Sequence, residues 1–415
     1  MINEKVDVIV IGAGPAGCVA AAILNKNGYS VKVIEKQQFP RFVIGESLLP
    51  RCLDNLEKAG LLEAVQMQNF QRKNGASFVR DEHEICEFNF AEQHTKGWEY
   101  AWQMRRSEFD KTLADEIERQ GVSLSYQESV EAVEFKTDKV LVSVQTNNNL
   151  NYIIESKFLI DASGYGRVLP RLLNLSKPSN FPARTAFFAH IKDENRIEGT
   201  EFLTEVADLK KAWTWIIPVA PGVTSIGFVG DTAFLESHGS NFDKGTFASL
   251  LKTHPKLNSR YSNNINFLTE PKVIKGYSVG VKQMHGDRYV LVGNSTEFLD
   301  PVFSSGVAFA TETGAIAGDL VSKQLNGEVV DWNKDYVEYI QHGINVFRTY
   351  VKEWYSGNLQ TIFFAVDKDP SFKKQICSVL AGYVWDMSNP YVKKHNRAVT
   401  VLAQVIRSQK LANMQ

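Results

Sequence analysis

Apolar residues follow two rhythms along this chain, and their order predicts an α/β body with a helical end. Val6-Asp7-Val8-Ile9-Val10-Ile11 is an almost unbroken apolar run, as expected of a strand covered on both faces in a parallel sheet. An alanine-rich stretch from Pro15 to about Asn27 predicts a helix, and Val31-Lys32-Val33-Ile34-Glu35 a second buried strand. Residues 158–164 and 289–295 repeat the pattern of an apolar run ending in small residues, and the second leads to a helix from about Val307 to Leu325. Runs around 185–188, 214–218 and 224–229 predict a different sheet, and residues 70–78 a loop entering a strand. In Trp213-Thr214-Trp215-Ile216-Ile217-Pro218 the indoles sit at i and i+2. They therefore share one face of an extended strand, which Pro218 is expected to close. From Trp332 onward Tyr336, Ile340, Ile344, Phe347, Val351 and Trp354 fall at helical spacing. Asn147-Asn148-Asn149 predicts a hairpin turn.

Gly12-Ala13-Gly14-Pro15-Ala16-Gly17 stands between the first strand and its helix. Gly12 permits the tight turn, Gly14 lets a pyrophosphate approach the backbone, and Gly17 lets the helix pack against the strand. The helix N-terminus favours the negative charge. Glu35 lies about 20 residues further on, where a carboxylate accepts ribose hydroxyls. A strand, glycine turn, helix and second strand with an acidic end predict a dinucleotide-binding βαβ unit.

Composition narrows the partners. The chain has 415 residues, 44% hydrophobic, enough for two intertwined domains. Its net charge is -1 with both signs interspersed, so it has no electrostatic footprint for nucleic acid. Cys18, Cys52, Cys86 and Cys377 lack CxxC spacing, which predicts reduced thiols, no metal site and a cytoplasmic setting. No secretory core is seen at the N-terminus, and no stretch approaches the ~18 apolar residues of a span. Stable membrane insertion is not expected.

Segments 158–164, 289–295 and 298–306, with Gln103-Met104-Arg105-Arg106-Ser107-Glu108-Phe109-Asp110, resemble the FAD-binding pattern of the aromatic-hydroxylase class of flavoproteins. The resemblance covers most of residues 1 to 330. It implies a Rossmann-like FAD-binding domain of the glutathione-reductase type (1–70, 100–165 and 275–330). This is interleaved with a mainly antiparallel substrate sheet (71–99 and 166–274) and followed by a helical region (331–415). It also implies that FAD is held by Gly12, Gly14, Pro15, Ala16, Gly17, Glu35, Lys36, Glu46, Ser47, Asp161, Gly164, Gly293, Asn294, Asp300, Pro301, Ser305, Gly306 and Val307, with Arg106 bordering the flavin. Without the motif, Arg106 reads as a solvated charge at a helix start. The class carries Gly-Asp where this chain has Gly293-Asn294; an amide can still donate and accept there.

Three further segments resemble the flavin-dependent halogenases acting on phenolic or carrier-bound rings. They are W-x-W-x-I-P at Trp213, F-x-x-P-x-x-S-x-G from Phe298 to Gly306, and F-x-x-K-x-G-A-x-F from Phe70 to Phe78. Gly45-Glu46-Ser47-Leu48-Leu49-Pro50 resembles a fourth segment of that family. In it Glu46 could touch the flavin or cap the helix near Pro50. The resemblance implies that Trp213 and Trp215 wall the substrate off from the flavin. Ser304, Ser305 and Gly306 would bind chloride or bromide through backbone N–H groups, although these could serve only the flavin edge. Lys73 would receive the hypohalous acid made from reduced FAD, oxygen and halide, as a neutral amine if burial lowers its pKa. Read alone, a lysine beside Arg72 is a surface charge. The implied partners are a separate flavin reductase and a small aromatic substrate, free or tethered to a carrier protein. A flavin monooxygenase or a geranylgeranyl-reductase-like dehydrogenase shares the fold and the glycine fingerprint, and a non-catalytic FAD protein is a third reading. The residues suggest no general base.

Overall fold

The N-terminal apolar run forms the strand Ile2–Ile11 in a computed structural model that describes the residues other than 1, 81–83, 180, 195, 197, 209–210, 262–264, 366–369 and 413–415. Val8, Ile9 and Val10 are fully buried, which explains the missing alternation. This strand pairs in parallel with Val31–Glu35 on one side and Asn151–Asp161 on the other, and Ser123–Tyr126 and Tyr289–Leu291 extend the parallel sheet at either end. Antiparallel additions, Glu128–Phe135, Val140–Thr146 and His285–Gly286, bring this sheet to eight strands. Helices Pro15–Lys26 and Ser305–Leu325 pack together on one face.

A seven-stranded sheet forms the second layer, in the order Lys272–Lys275, Thr185–Lys192, Val223–Gly230, Ala212–Ala220, Leu203–Asp208, Gly75–Val79, Ile85–Asn89. Its pairs are antiparallel except between Leu203–Asp208 and Gly75–Val79. One face carries Phe187, Ala189, Ile216, Ile226 and Phe228 into a separate core with Phe247 and Leu250. The other face, with Phe188, Trp213, Trp215 and Ile217, joins the main core shared with the glycine-turn helix.

Three local expectations change. Pro218 does not close its strand, which continues to Ala220 through a register shift after Pro218; a bulge accommodates the missing N–H. Lys73 lies not in a loop but at the end of a short strand, Gln71–Lys73, paired with Ala101–Gln103. The expected C-terminal helix is present as Tyr339–Tyr355, preceded by a wider turn over Asn333–Glu338. Ile340, Ile344, Phe347, Val351 and Trp354 are buried in the helix and Tyr336 in the turn before it. The four cysteines are free thiols, all buried. No helix among the described residues is long and apolar enough to cross a membrane.

Candidate active site

A cavity of about 510 Å³ runs between the parallel sheet and the mixed sheet, from Glu35 at one end to Trp213 and Trp215 at the other. Its nucleotide end follows from the glycine turn. Gly12 has φ +97° and a Cβ there would stand 2.7 Å from the Ala162 oxygen, while a Cβ on Gly17 would stand 2.0 Å from the Gly12 oxygen. Gly17 therefore packs the helix rather than lining the cavity. Gly14 does line it, and the nearest atom to a Cβ there would be an Arg41 nitrogen at 3.7 Å. The opening above Gly14 at the start of Pro15–Lys26 is thus a cradle with backbone donors and a cation, and it suits a pyrophosphate. Glu35 is held by the Ala13 and Gln37 amides at 2.9 Å each and lies with Lys36 on the cavity wall. These residues fit FAD.

Not every expected cofactor residue reaches the cavity. Asp161 is fully buried, and its carboxylate accepts from the Ser163 and Leu169 amides at 2.9 and 2.7 Å. Its side chain shapes the turn after its strand, while Ala162, Ser163 and Gly164 face the ligand space. Arg106 is not a solvated charge: it is 7% exposed, paired with Asp110 at 2.8 Å, and on the cavity wall. Gly293, Asn294, Pro301, Ser304, Gly306 and Val307 also line the cavity.

The segment from Asp300 to Gly306 is shaped by its own hydrogen bonds. Asp300 accepts from the Val302 amide at 3.0 Å and caps the turn Pro301–Phe303. Ser304 follows with φ 55°, and the helix Ser305–Leu325 begins there. The Ser304 amide donates to the Pro301 oxygen at 2.9 Å, so it is not available to an anion. The amides of Ser305 and Gly306 belong to the first helical turn, which has no intrahelical acceptors. The anion site is narrower than the motif suggests. The Asp300 carboxylate faces away from the cavity, toward Tyr277 and Tyr355 at 3.1 and 2.9 Å.

Trp213, Trp215 and Ile217 form one row of side chains on the cavity wall, with the two indole centroids 6.0 Å apart. Gly227 stands opposite Trp215 on the neighbouring strand. A Cβ there would meet the Trp215 ring at 2.1 Å, so this glycine provides the slot for the indole. Trp215 donates from Nε1 to Ser225 Oγ at 3.1 Å.

Lys73 is 1% exposed and does not itself line the cavity. Its ammonium donates to Ser47 Oγ at 2.8 Å and to the Leu48 oxygen at 3.0 Å, above the Phe90 ring. Ser47 is bonded to Thr204 at 2.7 Å through their hydroxyls, and both residues line the cavity. Lys73 thus stands one hydroxyl behind the wall. Burial pulls its pKa down to about 7, because no carboxylate offsets the loss of hydration.

Glu46 does not cap the following helix, whose cap position is Leu49. Instead Glu46 Oε1 bonds His190 Nε2 at 2.7 Å, and both residues are buried. Oε2 has no hydrogen-bond partner among the described residues, and Glu46 lies on the cavity wall. His190 was not foreseen, although strand alternation places it on the same face as Ala186 and Phe188. Thr204 gave no signal, since its strand lacks a distinct apolar run.

Residues 5–180 match the FAD binding domain family. The whole chain is similar to a solved flavoprotein/dehydrogenase from Cytophaga hutchinsonii, with 48% identity, a TM-score of 0.96 and coverage of 98% of this chain and 100% of that one. It is 28% identical to a 1H-pyrrole-2-carbonyl-[peptidyl-carrier protein] brominase of Pseudoalteromonas luteoviolacea, over 92% of this chain and 93% of the relative. A solved flavin-dependent brominase superposes with a TM-score of 0.83 at 25% identity, covering 99% and 100% of the two chains.

Proposed function

We propose, from the premise that this chain belongs to the FAD-binding flavoproteins that include the flavin-dependent halogenases, that it is an FAD-dependent oxidoreductase halogenating an electron-rich ring on a carrier protein's arm. The observation that carries the reading is the buried Lys73, one hydroxyl behind a cavity that two indoles also wall. A hydroxylase has no use for a second reactive site away from its flavin.

FAD held along the Gly14 cradle, Glu35 and Arg106 and reduced by a separate reductase would supply, with oxygen and halide, the oxidised halogen. The residues do the rest. Of the residues expected to bind halide, Ser305 stands off the cavity wall, and Gly306 offers its backbone N–H to chloride or bromide at a helix start. Trp213 and Trp215 keep the organic acceptor from the flavin, so the oxidant must travel. Ser47 and Thr204 mark where it meets the lysine wall. Lys73, with a pKa lowered to about 7, offers a neutral amine near neutral pH. That amine holds hypohalous acid by a hydrogen bond, or exchanges one N–H hydrogen for halogen with release of water. Glu46, bonded to His190, keeps its second oxygen buried and unpartnered among the described residues. The carrier-bound acceptor is supported by the pyrrolyl-carrier brominase, which aligns over almost the full length of both chains.

The test supplies FAD, a flavin reductase, NADH, oxygen and bromide with pyrrolyl-carrier protein and with free phenols, read by mass spectrometry. Brominated carrier that disappears in Lys73→Ala is the expected result. Oxygenated product would assign a monooxygenase. Anaerobic bleaching of oxidised FAD by an organic donor, with no halogenated product, would assign a dehydrogenase.

A further inference from the structure

The indole wall is fastened to the flavin side of the cavity by a chain of hydrogen bonds through the C-terminal helical region. Trp213 Nε1 donates to the hydroxyl of Tyr355 at 3.0 Å, and that hydroxyl donates to Asp300 Oδ2 at 2.9 Å. Tyr277 donates to the same oxygen at 3.1 Å, while the other carboxylate oxygen holds the Val302 amide. Trp213, Asp300 and Tyr277 are 2%, 3% and 6% exposed. An indole can only donate and a carboxylate only accept, so the group between them must do both. A hydroxyl does so. The chain thus connects the wall to the turn Pro301–Phe303, which sets the left-handed Ser304 and the first amides of its helix.

Trp213 has a second exposure. It lines the flavin cavity and also an outer cleft of about 900 Å³, bordered by Tyr355, Arg184 and Asp231. On the cleft side the Arg184 guanidinium lies over the Tyr355 ring at 4.2 Å and pairs with Asp231 at 2.8 Å. One indole therefore separates the two spaces at this point, and Tyr355 holds its only polar atom.

We propose that Tyr355 is a positioning residue: by bonding Trp213 and Asp300 together it keeps the indole partition in register with the flavin-side turn and closed against the outer cleft. Releasing it lets the indole tilt and would admit water to the flavin side of the cavity before halide is oxidised. Reduced flavin and oxygen would then give oxidised flavin and hydrogen peroxide, with no halogen transferred. This catalytic consequence rests on the halogenase reading; the hydrogen-bonded chain does not.

The experiment uses full-length protein loaded with FAD and ¹⁵N-labelled at its seven tryptophans, the Trp213 signal being identified with Trp213→Phe. In Tyr355→Phe the Trp213 indole proton should exchange with solvent about tenfold faster or more, with the other six signals unmoved. In the bromination assay, the share of oxygen released as peroxide should rise several-fold at unchanged flavin oxidation. Asp300→Asn, which keeps an acceptor for Tyr355, should fall between. Arg184→Gln, which leaves the chain intact, should exchange as wild type. Unchanged Trp213 exchange in Tyr355→Phe would overturn the proposal, as would an Asp300→Asn protein indistinguishable from wild type. If wild type brominates nothing, the halogenase reading fails while the indole measurement still decides the chain.

Discussion

Lys73 shows how much a single residue's environment decides. Arg72 beside it stacks on Tyr100 at the surface, whereas Lys73 turns inward because successive strand side chains point to opposite faces. Its lowered pKa has a consequence for stability with a definite sign. Above pH 10.5 neither the folded nor the unfolded chain is protonated at this site. As pH falls, the unfolded chain takes up its proton near 10.5 and the folded chain only near 7. Burying the lysine therefore costs stability at about 1.4 kcal/mol per pH unit across that window, and the cost is complete below pH 7. Lys73→Met should be more stable than wild type at pH 6, and the advantage should shrink as pH rises from 7 toward 10, measured by thermal melting across pH. The same variant should give no brominated product, since it lacks the amine.

Elements were legible where pattern and chemistry agreed. The glycine turn, its flanking strands and the helices Pro15–Lys26 and Ser305–Leu325 follow from apolar runs and small residues whose physical demands are local. The inward row Trp213, Trp215 and Ile217 follows from alternation. What could not be read depends on neighbours far along the chain. Nothing local shows that Asp161 and Asp300 turn away from the cavity, or that Glu46 meets His190 across 144 residues. Gly227 belongs to this class, since its role exists only because Trp215 stands on the adjacent strand. Gly227→Ala should force the indole or the sheet to shift and cost about 1–3 kcal/mol by overpacking, measurable by urea unfolding. If the indole gives way instead, stability will hold while the near-ultraviolet circular dichroism of Trp215 changes.

At the scale of the whole molecule, the parallel sheet, the mixed sheet and, through Tyr355 and Asp300, the helical region meet at the cavity. A ligand that binds the folded chain and not the unfolded one stabilises it by RT ln(1 + [L]/Kd), about 2.7 kcal/mol at a hundredfold excess over Kd. Where that stabilisation appears depends on whether these layers unfold as a unit. The shared core extends from Val19 and Leu24 in the glycine-turn helix through Trp213 and Trp215 to Phe347 and Trp354 in the C-terminal helix, so no layer can lose its partners without exposing apolar surface of the others. FAD should therefore raise a single melting transition by a few degrees, seen alike in flavin fluorescence, far-ultraviolet circular dichroism and tryptophan emission. Tyr355→Phe gives the discriminating case, because it cuts the polar connection while leaving the apolar contacts. If the helical region is joined to the site mainly by packing, the variant should keep one coincident, FAD-shifted transition. If the hydrogen-bonded chain is what joins them, tryptophan emission should melt earlier than flavin release and lose its dependence on FAD concentration.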